Sequence, residues 1–200
     1  MTALYKASYG LYLLSAKDGK QDNGCIINTF LQITSNAPFV CVISVNKQNF
    51  TNQIISKTRK FNLSTLTVET PFEILKHFGY QSGRSVDKFV DFTNFTRSAN
   101  GLACLTGYAN AFLSFDVLEV MDFDSHTVFK SILTECETLS NKESMTYDYY
   151  LQNVKPKSQI AEKQGYRCNI CGYVYEGEML PPDFVCPICK HGATDFTIII

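Results

Sequence analysis

Tyr108-Ala-Asn-Ala-Phe-Leu-Ser-Phe-Asp-Val-Leu-Glu-Val-Met-Asp-Phe123, followed across a short polar turn by His126-Thr-Val-Phe-Lys-Ser-Ile-Leu-Thr-Glu-Cys-Glu-Thr-Leu139, decides the fold class of this chain. Ala109, Ala111, Leu113, Phe115 and Val117 fall at every second position, the period of a strand and not of a helix. The second segment reads as the antiparallel neighbour of the first across the Asp122–Ser125 turn.

Working outward, Phe39-Val-Cys-Val-Ile-Ser-Val45 is a short β-branched apolar run of the kind that forms a buried strand. Tyr9 to Leu14 reads as another, ending at the polar Lys17-Asp18-Gly19 turn, and Asn23-Gly24 signals a further turn. Short helices fill the connections. Asn49 to Lys57 is one. Thr70-Pro71-Phe72-Glu73 has the form of a capping box with Pro at the first helical position, which predicts a helix over Pro71–Phe78. Ser82-Gly-Arg-Ser85 opens a further helical turn toward Phe89. Dominant strands with helical excursions predict a mainly β fold, a barrel and not alternating βαβ units.

The chain has 200 residues, 45% of them hydrophobic and 18% charged, with 15 Phe, 11 Tyr and no Trp. These totals suit a soluble globular protein with room for one medium and one small domain. A net charge of −1 argues against a nucleic-acid partner, which selects a basic excess. No apolar run approaches bilayer length and no leader is visible, so the expected location is cytoplasmic with no membrane association. The polar stretch Val154–Lys163 reads as a linker between domains at residues 1–153 and 164–200.

The eight cysteines divide into a scattered set, Cys25, Cys41, Cys104 and Cys136, and a clustered set, Cys168, Cys171, Cys186 and Cys189. The scattered thiols read as reduced, buried and inert, with Cys25, beside a glycine in an expected turn, as the exception. The clustered ones form two Cys-x-x-Cys knuckles able to bring four sulfurs to one tetrahedral centre. Zinc and iron both accept such a site, so spacing alone leaves open a zinc ribbon that binds another protein.

The residues around the knuckles resemble rubredoxin in its shortened form: Tyr166-x-Cys168-x-x-Cys171-Gly172-Tyr173-x-Tyr175-x-Gly177, then Pro182-x-Phe184-x-Cys186-Pro187-x-Cys189, then Asp195-Phe196. The resemblance implies one iron held by Cys168, Cys171, Cys186 and Cys189, over a small core of Tyr166, Tyr173, Phe184 and Phe196. Lys190 stands where the second knuckle often carries Gly.

A one-electron iron supplied by a nicotinamide needs a converter, and flavin is the usual one. Among residues 1–153, Ser82-Gly83-Arg84-Ser85-Val-Asp-Lys88 is the best local candidate for a phosphate site. Its serines can cap a helix start with free N–H groups, and Arg84 and Lys88, four apart, would share one face. Most of this segment resembles the flavin reductase-like family, whose members include flavoredoxin and the flavoprotein half of the fused high-molecular-weight rubredoxins. The resemblance is carried by Tyr9-Gly-Leu-Tyr, Asn23-Gly-x-x-x-Asn28-Thr29-Phe30-x-Gln32, Asn46-Lys-x-Asn49-x-Thr51, Phe78-Gly-x-x-Ser82-Gly-Arg-x-x-x-Lys88-Phe89, His126-Thr-x-Phe129 and Thr146-Tyr147-x-x-Tyr150. It implies a split β-barrel homodimer binding FMN at the subunit interface. Asn28, Thr29 and Phe30 would line the flavin. Asn46, Asn49, Thr51, Ser82, Arg84 and Lys88 would hold its ring edge, ribityl chain and phosphate, and His126 would lie near the nicotinamide or the flavin face. Asp124-Ser125 replaces the family's usual Gly-Asp before this histidine, and Ile26 and Ile27 replace small residues before Asn28.

Taken together, the expected protein is an NAD(P)H-dependent flavin oxidoreductase. It would pass electrons from NADH or NADPH through FMN to a mononuclear iron, and on to a partner such as a flavo-diiron protein that reduces oxygen or nitric oxide. The alternatives are an electron carrier without its own NAD(P)H site and the zinc-ribbon interaction protein.

Overall fold

A computed structural model of the chain describes residues 7, 9–19, 21–156 and 165–199. The described residues fall into two compact units that divide between Lys155 and Pro156. Of the expected linker, residues 157–163 lie outside the described residues.

The strands of the first unit are β1 (Tyr12–Asp18), β2 (Gln21–Ile27), β3 (Phe30–Gln32), β4 (Val40–Asn46), β5 (Lys60–Leu66), β6 (Phe95–Arg97), β7 (Ala103–Leu105), β8 (Ala109–Asp122) and β9 (His126–Thr138). The helices are α1 (Phe50–Thr58), α2 (Phe72–Gly79) and α3 (Tyr147–Tyr149), the last running into a π-helical turn over Tyr150–Val154. Seven strands join in the order β2-β1-β5-β8-β9-β4-β3, and every neighbouring pair is antiparallel. The two edge strands are consecutive in the chain, joined by Asn28 and Thr29 alone. That link spans at most about 11 Å. The sheet must therefore curl until its edges nearly meet, giving a barrel split along one seam that Asn28-Thr29 crosses.

The β8–β9 hairpin supplies much of the curvature. Its pairing runs from Ala111–Thr138 to Asp122–Thr127, with register shifts between Ser114 and Phe115 and between Val117 and Glu119; such bulges bend and twist a ribbon. The expected apolar face is present, but Asn110, Phe112 and Ser114 on the opposite face are buried too. Beyond Val117, Leu118 and Met121 are exposed, while Val120 still packs against the core. One core cluster, including Leu14, Ile43, Phe61, Phe115 and Phe129, packs around β1, β4, β5, β8 and β9. A second, including Leu66, Leu75, Phe78, Phe89 and Met145, lies under α2.

Three local expectations fail for identifiable reasons. Asn23-Gly24 lies inside β2 and is not a turn. Glycine fits closely there, since an added Cβ would come within 3.1 Å of the Leu14 carbonyl and 3.3 Å of Leu13 and Phe78 side-chain carbons. The chain reverses into β2 at the end of the expected Lys17-Asp18-Gly19 turn, where Gly19 has a φ of 60° that suits glycine. The capping box does not form: Pro71 is the N-cap, without a side-chain cap bond, and the Thr70 hydroxyl donates to the Tyr108 carbonyl at 3.0 Å. Residues 82–89 make a turn and irregular chain, not a helix.

The second unit is a three-stranded sheet, β11-β10-β12, built from β10 (Gly165–Cys168), β11 (Val174–Tyr175) and β12 (Phe196–Ile199). Tyr173, Tyr175 and Phe196 pack on Phe184 with ring centroids 6.4, 4.7 and 5.4 Å away. Tyr175 joins this ring cluster although the sequence reading gave it no place in the core. Among the described residues, no helix is long and apolar enough to cross a membrane.

Candidate metal centre and anion corner

Each knuckle of the second unit is a tight turn closed by two backbone bonds. In the first, Gly172 N–H donates to the Cys168 carbonyl at 2.9 Å and Cys168 N–H to that of Tyr173 at 2.8 Å. In the second, Lys190 N–H donates to the Cys186 carbonyl at 3.0 Å and Cys186 N–H to that of His191 at 2.8 Å. The pivot residues, Gly172 at φ 80° and Lys190 at φ 64°, are both left-handed. These turns bring the sulfurs of Cys168, Cys171, Cys186 and Cys189 within 4.8 Å of one another, with the Cys168–Cys189 and Cys171–Cys186 pairs at 3.5 Å. A tetrahedral thiolate centre with metal–sulfur bonds of about 2.3 Å has edges of about 3.8 Å, so the four predicted ligands fit one metal ion.

The electrostatics favour a cation at that centre. Burial, with the neighbouring sulfurs Cys186 and Cys168, pushes the Cys171 thiol up to about 11. Burial and the three surrounding sulfurs push Cys189 up as well. Cys186 is buried too, yet the backbone N–H groups of Cys189 and Ile188 bring it below its usual value. A cation would offset this mutual repulsion and hold the four sulfurs as thiolates. Backbone N–H groups of Tyr173 and His191 also aim at Cys171 and Cys189, a pattern that tunes the potential of an iron–thiolate centre.

In the first unit the predicted polar residues gather at the corner between β4 and α1. Asn46, the last residue of β4, lies directly opposite His126 on β9; its side-chain oxygen accepts from Gln48 N–H at 2.8 Å and its carbonyl from Asn49 N–H at 3.0 Å. Asn49 is the N-cap of α1, makes no side-chain cap bond, and no acidic residue follows in the first turn. That helix end suits an anion. The Arg84 guanidinium donates to the Gln48 carbonyl at 2.8 Å and lies 5.5 Å over the Phe50 ring, which pins the Ser82–Ser85 turn to the same corner. Ser82 Oγ accepts from Arg84 N–H at 3.3 Å. The β3–β4 pairing, Phe30 opposite Ile43, runs Asn28 and Thr29 toward the Asn46 end of β4. Thr29 donates to the Asn28 side chain at 3.1 Å, and the Phe30 ring packs inward on Tyr12 and Phe115. His126 Nδ1 is bonded to Ser125 Oγ at 2.8 Å.

Lys88 is not on this surface. It is 3% exposed, and its ammonium donates to the carbonyls of Gly24 and Phe78, each at 2.8 Å. Without a helix over 82–89, Arg84 and Lys88 do not share a face. Burial lowers the Lys88 pKa, with Cys25 opposing. Thr51 is also buried, accepting from Asn23 Nδ2 at 3.1 Å. Sequence reasoning gave Asn23 no role in the site; it forms the floor of the corner, and Gly83 rests on it. An added Cβ at Gly83 would collide with the Asn23 amide. The glycine next to Arg84 was the one available signal.

Two predictions follow from these contacts. If this corner holds the phosphate of FMN, Arg84→Ala should weaken FMN binding about tenfold, the value of one charge-assisted hydrogen bond, while stability stays within about 0.5 kcal/mol because the side chain is exposed; fluorescence titration and thermal melts measure the two effects. Gly83→Ala should lower stability by about 1–3 kcal/mol, since a buried and bonded Asn23 must move, and denaturant unfolding checks this.

Cys25, Cys41 and Cys104 are buried and Cys136 is exposed. The exception among the scattered thiols is thus Cys136 and not Cys25, whose pKa is raised by burial against the Thr51 hydrogen bond and the Lys88 charge.

Residues 4–157 match the flavin reductase like domain family and residues 166–197 the rubrerythrin, rubredoxin-like domain. The chain is 34% identical to a high molecular weight rubredoxin of Moorella thermoacetica, covering 97% of both chains. It is 33% identical to a ferric-chelate reductase (NAD(P)H) of Archaeoglobus fulgidus over 74% of this chain and 88% of that one. The fold is shared with an NADH:FAD oxidoreductase of Streptomyces globisporus, with a TM-score of 0.64 at 19% identity over 72% of this chain and 83% of that one.

Proposed function

Because the chain belongs to the flavin reductase-like family and carries a rubredoxin-like domain behind it, we propose that it is an NAD(P)H-dependent oxidoreductase that delivers electrons one at a time to another protein. The observation that carries this reading is the four-sulfur knot of Cys168, Cys171, Cys186 and Cys189 on the same chain as a flavin reductase-like domain. Bound FMN would accept a hydride and release single electrons, and an iron in the knot would carry them singly. The residues proposed to hold FMN are Asn28, Thr29 and Phe30 at the barrel seam, and Asn46, Asn49, Ser82 and Arg84 at the β4–α1 corner. Thr51 and Lys88 support that corner from beneath. His126, beside Asn46, is proposed to meet the nicotinamide.

A homodimer fits the surface of the barrel. Leu31 and Met121 belong to the same outer face of the sheet by register and are 58% and 38% exposed, and an exposed apolar face of this kind favours a second copy. The acceptor is proposed to be a redox protein such as a flavo-diiron reductase of oxygen or nitric oxide.

Anaerobic titration with NADH and with NADPH, followed by absorption, tests the reading. The expected result is loss of both the flavin and the ferric-thiolate bands with one of the two nucleotides. Bleaching by neither nucleotide, but by a reduced protein donor, would make the chain a carrier without its own nicotinamide site. A preparation holding zinc and no flavin would leave the interaction-protein reading.

A further inference from the structure

The two knuckles are built alike except at their pivot. Both pivots follow a ligand cysteine, take a left-handed backbone, and donate to the carbonyl of the first cysteine of their pair. Gly172 adopts that conformation freely, whereas Lys190 at φ 64° holds it against the steric preference of a residue with a Cβ. Nothing in the turn's hydrogen bonds needs a side chain there, and glycine would make the same bonds without that conflict. What lysine adds is a positive charge next to the ligand Cys189.

The surrounding charges make it stand out. Among the described residues of this unit the other cation is Arg167, against Glu176, Glu178, Asp183 and Asp195. Arg167 precedes Cys168 within β10, and successive strand residues point to opposite faces, so its side chain is directed away from the sulfur. Lys190 is exposed, while the ligand that precedes it, Cys189, is half-buried.

We propose that Lys190 is a potential-setting residue. Its charge favours the reduced, more negative form of an iron–tetrathiolate centre, making the iron a stronger electron sink than one held by two glycine knuckles. This rests on the reading of the site as iron. Reduction takes one electron into the centre and increases its net negative charge by one, so a nearby cation raises the reduction potential, and salt weakens the effect.

The test is spectroelectrochemical titration of the full-length, iron-loaded protein and four variants. Lys190→Arg should keep the parental potential. Lys190→Asn, neutral but tolerant of the left-handed backbone, and Lys190→Gly should both shift it downward, and Lys190→Glu further still, with the spread narrowing at high salt. Equal potentials for Lys190 and Lys190→Asn, with only Lys190→Gly displaced, would make the effect one of backbone and overturn the proposal. Absence of the ferric-thiolate band from every sample, parent included, would overturn the iron reading and this proposal with it.

Discussion

Replacing Cys171 and Cys189 together with serine should abolish metal binding and unfold the second unit while the first stays folded and retains its flavin. The unit contains three short strands and one cluster of rings centred on Phe184, a core too small to offset chain entropy unaided. A structural four-thiolate site supplies about 10–16 kcal/mol of folding free energy, and two hydroxyls in place of two thiolates forfeit most of it. Hydrogen exchange should rise across residues 165–199 to the rate of an open chain, with the first unit unchanged. Bleaching of flavin by reduced nicotinamide should persist, while reduction of the protein acceptor falls to background. Persistence of a protected second unit without metal would refute this account of its stability.

The second large effect is expected at a residue outside the metal site. Lys88→Met should destabilise the barrel by about 2–6 kcal/mol, because two buried carbonyls lose a charged donor at about 1–3 kcal/mol each. Those carbonyls belong to Gly24 on β2 and Phe78 on α2, so the ammonium clamps the helix to the edge strand beside the seam. The melting temperature should fall by roughly 5–15 °C for a unit of this size. Lys88→Arg cannot fit the same two-carbonyl cradle with a planar fork and should recover little. If Lys88→Met instead removed FMN affinity with no change in melting temperature, the lysine would be a phosphate ligand, as its spacing from Arg84 suggests.

Where reading the sequence succeeded, a local pattern and a tertiary demand agreed. The alternation of Ala109 to Val117 predicted β8, and the burial of Phe115 is what that alternation encodes. The cysteine spacing predicted a knot that the backbone turns then close. Where it failed, a distant partner decided. Asn23-Gly24 has the composition of a turn, but its glycine answers to Leu14 and Phe78 across the fold. Thr70 has the position of a cap, but Tyr108 offers its hydroxyl another acceptor. Lys88 lies four residues from Arg84 in a stretch that carries helix-start residues, yet no helix forms there and the side chain turns inward. The convergence of Asn46, Asn49, Arg84 and His126 could not be read from spacing, because β9 and the Ser82–Ser85 turn reach that corner only through the order of the strands.

The distribution of thiols has a practical side. With metal occupying the clustered sulfurs and Cys25, Cys41 and Cys104 shut inside, Cys136 is the one address on the natural chain open to a thiol-directed reagent. It lies on β9, a rigid support. A nitroxide or dye attached there would need no mutagenesis and would sense a paramagnetic ion by its distance. The separation of barrel and metal, with and without reduced nicotinamide, thereby becomes a quantity that a single labelling reaction makes measurable.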